Sequence, residues 1–172
     1  NLEEAEKEED IFNQIKILKR ILIMQKTSGN YRNKLGLAYN NNEEYTLAIK
    51  QFEIAIDINP DNSSFHFNLG DAYESLENYD DALNSYYKSK DLDEDDHMSP
   101  IRIAQILFHE KNQKSKAYEV LDEAIYADGK VDFLDFFTIF TKTRFYAMEN
   151  KKTELNQELK KIVEIANSPE EK

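Results

Sequence analysis

The chain has 172 residues, 40% hydrophobic and 33% charged, with only four Gly and three Pro, a balance that suits a soluble, strongly helical protein with short turns. No window holds the run of about 18 uncharged apolar residues that a membrane span requires, and the absence of cysteine excludes disulfides, thiolate chemistry and cysteine-ligated metals while leaving the compartment open. The net charge of -12 is concentrated, with six acids and one Lys in residues 1–10 and ten acids and two Lys in residues 71–96. Nucleic acid is a poor partner for such a surface, because binding it depends on neutralising phosphates with Lys and Arg. A basic partner is permitted by this field, although the same charge also serves simply to solvate an elongated molecule. Nothing resembles a signal peptide; the chain begins at Asn1 rather than Met, so a leader or an upstream domain is expected to have preceded it. The compartment stays unassigned, with the cytoplasm slightly favoured.

In chain order, the first apolar stretch runs from Ile15 to Met24, and Lys16, Lys19 and Arg20 within it mark an amphipathic helix. Its Leu18, Ile21, Leu22 and Met24 stand 34 residues before Phe52, Ala55, Ile56 and Ile58. Residues 1–28 are therefore expected to form an N-terminal helix, either the second half of a truncated repeat or a helix imitating one.

Residues 29–62 form the first full unit. Arg32, Leu35, Gly36 and Tyr39 share one helical face, and Tyr45, Ala48, Phe52 and Ala55 share another. Asn40-Asn41-Asn42 between them is a turn signal, because Asn tolerates left-handed backbone and caps helices. Asn59-Pro60-Asp61-Asn62 ends the second helix, since Pro60 disfavours helical geometry at Asn59. The small Gly36 and Ala48 are expected where the two helices cross, with Tyr39 and Phe52 filling the flanking space.

Leu35-Gly36-Leu37-Ala38-Tyr39 returns 34 positions later as Leu69-Gly70-Asp71-Ala72-Tyr73. Tyr45, Ala48, Asp57 and Asp61 recur as Tyr79, Ala82, Asp91 and Asp95, and Phe52 and Ala55 recur conservatively as Tyr86 and Ser89. Such a fixed period signals stacked helix pairs. Residues 63–96 are the second unit, and residues 97–131 a looser third, with Ile103, Ala104 and Leu107 followed by Ala117, Leu121 and Ala124. That last trio is displaced by 35 residues, which places one extra residue in the turn around Asn112. Residues 132–172 supply a degenerate pair, with helices over 132–148 and 152–167. The stripe Leu155, Leu159, Ile162 and Ala166 makes the second of these a capping helix with a polar outer face.

The ordered pattern Leu-Gly-x-x-Tyr…Ala…Phe…Ala…Pro, at this spacing, resembles the tetratricopeptide (TPR) repeat. Leu35, Gly36, Tyr39, Ala48, Phe52, Ala55 and Pro60 match it, with Arg32 where an aromatic is common. The second copy departs at His66 and Glu94, and the third at Ala104 and Leu107; clear resemblance covers residues 29–131. The resemblance implies an all-α fold, a right-handed superhelix of antiparallel helix pairs, whose concave groove commonly binds peptides or protein segments. Lys34, Asn68 and Arg102, again 34 apart, form a ladder beside that groove. Some TPR proteins clamp the carboxylates of chaperone tails here. Asn68 and Arg102 match two clamp positions, while Asn33, Leu37 and Met98 replace its Lys, Asn and Lys. The ladder thus reads either as chance periodicity on a solvated face or as an anion contact, for which Arg is suited.

Catalytic constellations are not recognisable. His66, His97 and His109 show no pairing at helical ligand spacing. The run Asp91 to Asp96 superficially resembles a calcium loop, but Asp96 stands where Gly belongs and Arg102 where the bidentate Glu belongs. It is better read as an inter-repeat turn that caps the helix beginning near Ser99-Pro100. There is no Gly-rich phosphate loop and no Gly-x-Ser-x-Gly elbow. No enzyme activity, metal or cofactor is expected.

What remains is an apolar series at groove positions, Leu37, Phe67, Ile101 and Phe108, continuing through Phe133, Phe136, Phe137 and Phe140. At helical spacing such a stripe is more often core than surface; if uncovered, it marks an interaction site. The reading that unites these features is a non-enzymatic module holding a peptide or helix of another protein. Lys34, Leu37, Phe67, Asn68, Ile101, Arg102 and Phe108 would contact it. The alternative is a structural spacer or self-association segment of a larger protein, with its groove filled internally or a homodimer formed.

Overall fold

The computed structural model describes residues 2–125 and 135–167, and side chains over 10–125 and 135–163. Every regular element among them is an α-helix: α1 (Leu2–Met24), α2 (Gly29–Asn41), α3 (Tyr45–Ile58), α4 (Ser63–Ser75), α5 (Tyr79–Leu92), α6 (Met98–His109), α7 (Lys114–Ile125), α8 (Phe136–Met148) and α9 (Lys152–Asn167). The fold is all-α, and it divides into two compact units, Asn1–Glu94 and Asp95–Lys172.

In the first unit α2 pairs with α3 and α4 with α5, α3 packs on α4, and α1 packs on α2. Ser28 caps α2, accepting a hydrogen bond from the Tyr31 amide at 3.4 Å. Asn59 ends α3 ahead of Pro60, as the proline requires. Buried Ile15, Leu18 and Leu22 of α1 join Leu35, Ala38 and Tyr39 of α2, Ala48 and Phe52 of α3, and Leu69 and Ala72 of α4 in one core. The helix crossing falls where the repeat placed it. A Cβ on Gly36 would lie 2.5 Å from the Phe52 ring and one on Gly70 2.7 Å from the Tyr86 ring, so the aromatic of the second helix lies directly on the glycine of the first.

Helix α1, Leu2–Met24, lies within the residues 1–28 expected to be helical, its Glu-rich opening having good helix propensity. One sequence expectation shifts. The left-handed turn residue is not in Asn40–Asn42 but at Glu43 (φ 60°), with counterparts at Glu77 (φ 57°), Asn112 (φ 51°) and Asn150 (φ 57°).

In the second unit Asp96 caps α6, its Oδ1 accepting from the amides of Met98 and Ser99 at 2.9 Å each. Pro100 sits buried in the first turn, where its missing N–H costs nothing. The turn over 110–113 is one residue longer than those over 42–44 and 76–78, which absorbs the 35-residue displacement. Helix α6 is buried along Ile103, Ala104, Ile106 and Leu107, against a core that includes Leu121, Ile125, Ile139 and Phe145.

The packed side of α9 differs from the expected stripe. Leu155 and Ile162 are half-buried, but Glu158 is buried between them, whereas Leu159 and Val163 are exposed. The cause is a charge on α8: Lys142, itself buried, bonds Glu158 at 3.1 Å and also pairs with Asp122 of α7. Helix α9 therefore turns its acid inward, and its outer face carries apolar side chains.

Candidate functional site

Four of the seven residues singled out in the sequence lie on α2 and α4 of the first unit. The two helices are joined by a hydrogen bond from Asn68 Nδ2 to Asn33 Oδ1, 2.9 Å long. Lys34 is exposed, and its Nζ stands 5.7 Å from the Tyr31 ring centroid, within cation–π range. Leu37 is 37% exposed although Gly36 and Ala38 on either side are buried. The helix closes its core with Leu35, Ala38 and Tyr39 and leaves Leu37 outside. Phe67 is half-buried, its ring 5.4 Å from that of Tyr86 and tilted by 56°.

An acidic pair that sequence reasoning passed over lies on the same helix as Phe67. Tyr86 Oη is 2.6 Å from Asp71 Oδ1 and 2.7 Å from Glu74 Oε2. A tyrosine has one hydroxyl proton, so the two carboxylates share that proton between them. Burial, then the Asp71 charge and hydrogen bond, push the Tyr86 hydroxyl far above its ordinary pKa, so it stays protonated and remains a fixed donor. The signal was present in the repeat itself: Asp71 stands 34 residues after Leu37, replacing an apolar side chain by a carboxylate.

The other three residues lie on α6 in the second unit. Ile101 and Phe108 are buried there, and Arg102 is half-buried. Phe108 stacks on Phe145 at 4.0 Å between centroids with 13° between planes, and meets Tyr118 edge-on at 6.2 Å. These are core contacts. The phenylalanine series thus divides by environment: Phe108 is interior, Phe67 and Phe136 are half-buried, and Phe137 and Phe140 are exposed. Phe133 lies outside the described residues.

The polar chemistry is structural in character. His66 is buried and donates through Nε2 to the Pro60 carbonyl at 2.8 Å, tying α4 to the turn before it. Among the described residues no group of three or more His, Asp or Glu is arranged to hold a metal ion, and no helix is long and apolar enough to cross a membrane.

An array of paired helices in stacked repeats defines a class, the α-solenoid repeat proteins. Residues 33–97 match the family model of the tetratricopeptide repeat. No curated protein matches the sequence. Among solved structures, the crystal structure of MamA is similar over 95% of this chain and 92% of its own, with a TM-score of 0.75 and 15% identity. The nearly identical TPR-like repeats of a putative kinesin light chain from Podosopora anserina align over 99% of this chain and 93% of theirs, with a TM-score of 0.74 and 13% identity. A MamA fragment from Desulfovibrio magneticus RS-1 aligns over 72% of this chain and 71% of its own, at TM-score 0.63 and 16% identity. At such identities the likeness shows the fold alone, a TPR-type α-solenoid.

Proposed function

We propose that this chain is a non-enzymatic interaction module that holds a peptide or helix of another protein on the α2/α4 face of its first unit. The supporting observation is Leu37. It is an apolar residue left exposed on the first helix of a repeat whose core is complete without it. Leu37 and the open edge of Phe67 would take an apolar side chain of the ligand, while Lys34 and Asn68 orient its backbone or polar groups. Asp71 and Glu74 add an acidic element, which favours a ligand carrying a basic residue near its apolar anchor. Ile101 and Phe108 have no part in this reading, because their side chains are occupied inside the second unit.

The test is affinity capture from source lysate with wild type beside Leu37→Asp/Asn68→Ala, both checked by circular dichroism. The expected result is a protein retained by wild type and lost by at least about tenfold in the variant, the loss typical of a disrupted anchor. Identical sets of retained proteins would overturn the assignment of this face.

A further inference from the structure

Helix α1 carries a second surface, independent of the α2/α4 face. Its inward side is Ile15, Leu18 and Leu22. Its outward side leaves Phe12 67%, Ile17 57%, Ile23 70% and Met24 88% exposed, with Lys16, Lys19 and Arg20 exposed among them. Phe12, Lys16, Lys19 and Ile23 follow the i, i+4, i+7, i+11 spacing of a helix-pairing seam. From Phe12 onward the charge on α1 has one sign, with Lys16, Lys19 and Arg20 and no acid, although residues 1–10 of the same helix hold six acids and one Lys. Residues 11–42 contain six Lys or Arg and no acid, a net charge of +6 in a chain whose total is -12.

The complement lies at the far end of the same unit. Residues 71–94 hold eight acids and two Lys, a net charge of -6. On α5, Asp80, Asn84, Tyr87 and Asp91 are all exposed and repeat the i, i+4, i+7, i+11 spacing. Helix α1 packs on α2 and α5 on α4, so the two seams belong to the first and last helices of the unit. We infer that the outward face of α1 docks on the outward face of α5 of a second copy, in a head-to-tail contact. The two patches differ, so the contact is heterologous: it leaves a free α1 at one end and a free α5 at the other, and it propagates unless the rotation closes a ring.

The charges favour this occupant over an anionic membrane, the other surface that suits a basic amphipathic helix. Six acids in residues 1–10 precede the basic stretch on the same helix, and a continuous anionic bilayer meets both, whereas the α5 seam from Asp80 to Asp91 is short enough to engage residues 12–23 alone. A single helix face buries less than the roughly 800 Å² per partner of a standard stable interface. Association should therefore be weak, electrostatically steered and sensitive to ionic strength.

The experiment is sedimentation of the full chain over a concentration series, at low ionic strength and at about 0.5 M salt, where screening shortens to a few ångströms. Wild type should gain mass with concentration at low salt and return to monomer at high salt. Lys16→Glu/Arg20→Glu and Asp80→Lys/Asp91→Lys, each with unchanged helical circular dichroism, should both be monomeric. An equimolar mixture of the two should associate again, because the reversed α1 of one fits the reversed α5 of the other. Three results would overturn the inference: monomeric wild type at low salt, association indifferent to both reversals, or no rescue in the mixture. Binding of monomeric wild type to phosphatidylserine vesicles, lost on Lys16→Glu/Arg20→Glu, would also overturn it and assign the seam to a membrane surface. Neither variant touches Lys34, Leu37, Phe67 or Asn68, so partner capture by the α2/α4 face reports separately.

Discussion

A methyl group at residue 36 would sit 2.5 Å from the Phe52 ring, and Phe52 has no exposed surface through which to retreat. Gly36→Ala should therefore destabilise the first unit by about 1–3 kcal/mol, the usual cost of overpacking a closed core. Phe52→Leu introduced into that variant should recover part of the loss, since it vacates the space the methyl needs. Urea denaturation of the two variants checks this; an unchanged midpoint in Gly36→Ala would mean that the ring moves aside freely. Glycine at residues 36 and 70 was legible because the repeat printed it twice beside an aromatic 16 residues on. The left-handed turn residues were not, because Glu at 43 and 77 gives no composition signal for positive φ. A non-Gly residue in that region carries about 1–2 kcal/mol of steric cost. Glu77→Gly should accordingly raise stability by up to about 1 kcal/mol, less whatever the unfolded chain gains in freedom. A fall in the urea midpoint would show that the Glu77 side chain holds the turn.

At the scale of elements, the register of α9 was the part hydrophobic pattern misread. Periodicity ranks Leu159 above Glu158 for burial, yet a buried Lys142 on α8 reverses that order. Burial opposes the Lys142 charge, but hydrogen bonds and charge from Asp122 and Glu158 outweigh it, and its pKa lies above the ordinary lysine value. Removing the cation leaves the buried Glu158 with the partly exposed Lys161, 3.1 Å away, in place of a buried partner. Lys142→Met should cost up to about 3 kcal/mol, the low end for breaking a buried pair, and Lys142→Met/Glu158→Leu should recover most of it. A double variant no better than the single would show that the pair specifies α9 packing in a way apolar contact cannot replace. The turn between α8 and α9 is tied to α7 by another acid. Glu149 accepts from Tyr118 Oη at 2.7 Å and pairs with Lys151 at 3.0 Å and Lys114 at 3.1 Å. The Tyr118 bond first, then those of Lys151 and Lys114, against a desolvation penalty, hold its pKa down at about 2 instead of 4.5. A folded-state value below the unfolded one adds stability above the carboxylate range, and that stability drains as pH falls toward 2. The gap in melting temperature between wild type and Tyr118→Phe should thus be constant near neutrality and close between about pH 4.5 and 2. A gap that persists at the acid end would leave Tyr118 a packing role alone.

For the molecule as a whole, the sequence series over Ile101 and Phe108 failed as a surface for a reason of packing. The cover of Phe108 includes Phe145, which comes from the segment after residue 131 that lacks the repeat signature. No periodicity therefore announced it. The first unit was more legible, since its helices repeat with one period and Leu37, Phe67 and Asn68 fall on the same two of them. Its core is also self-contained, with Ile15, Leu18 and Leu22 of α1 closing over Leu35 and Tyr39. That closure predicts autonomy. A fragment of residues 1–94 should fold to a helical, cooperatively melting species on its own. Removing residues 1–24 from it should cost more than about 4 kcal/mol, because three large aliphatic side chains each contribute roughly 1.5–3 kcal/mol on burial. Repeat arrays gain stability from nearest-neighbour interfaces, so the loss should appear as a lower urea midpoint throughout residues 29–94 and not as local fraying of α2. Equal midpoints with and without residues 1–24 would make α1 an appendage of the array. A lower one would make it the element that closes the first repeat, with its inward face committed to stability and its outward face left for a partner.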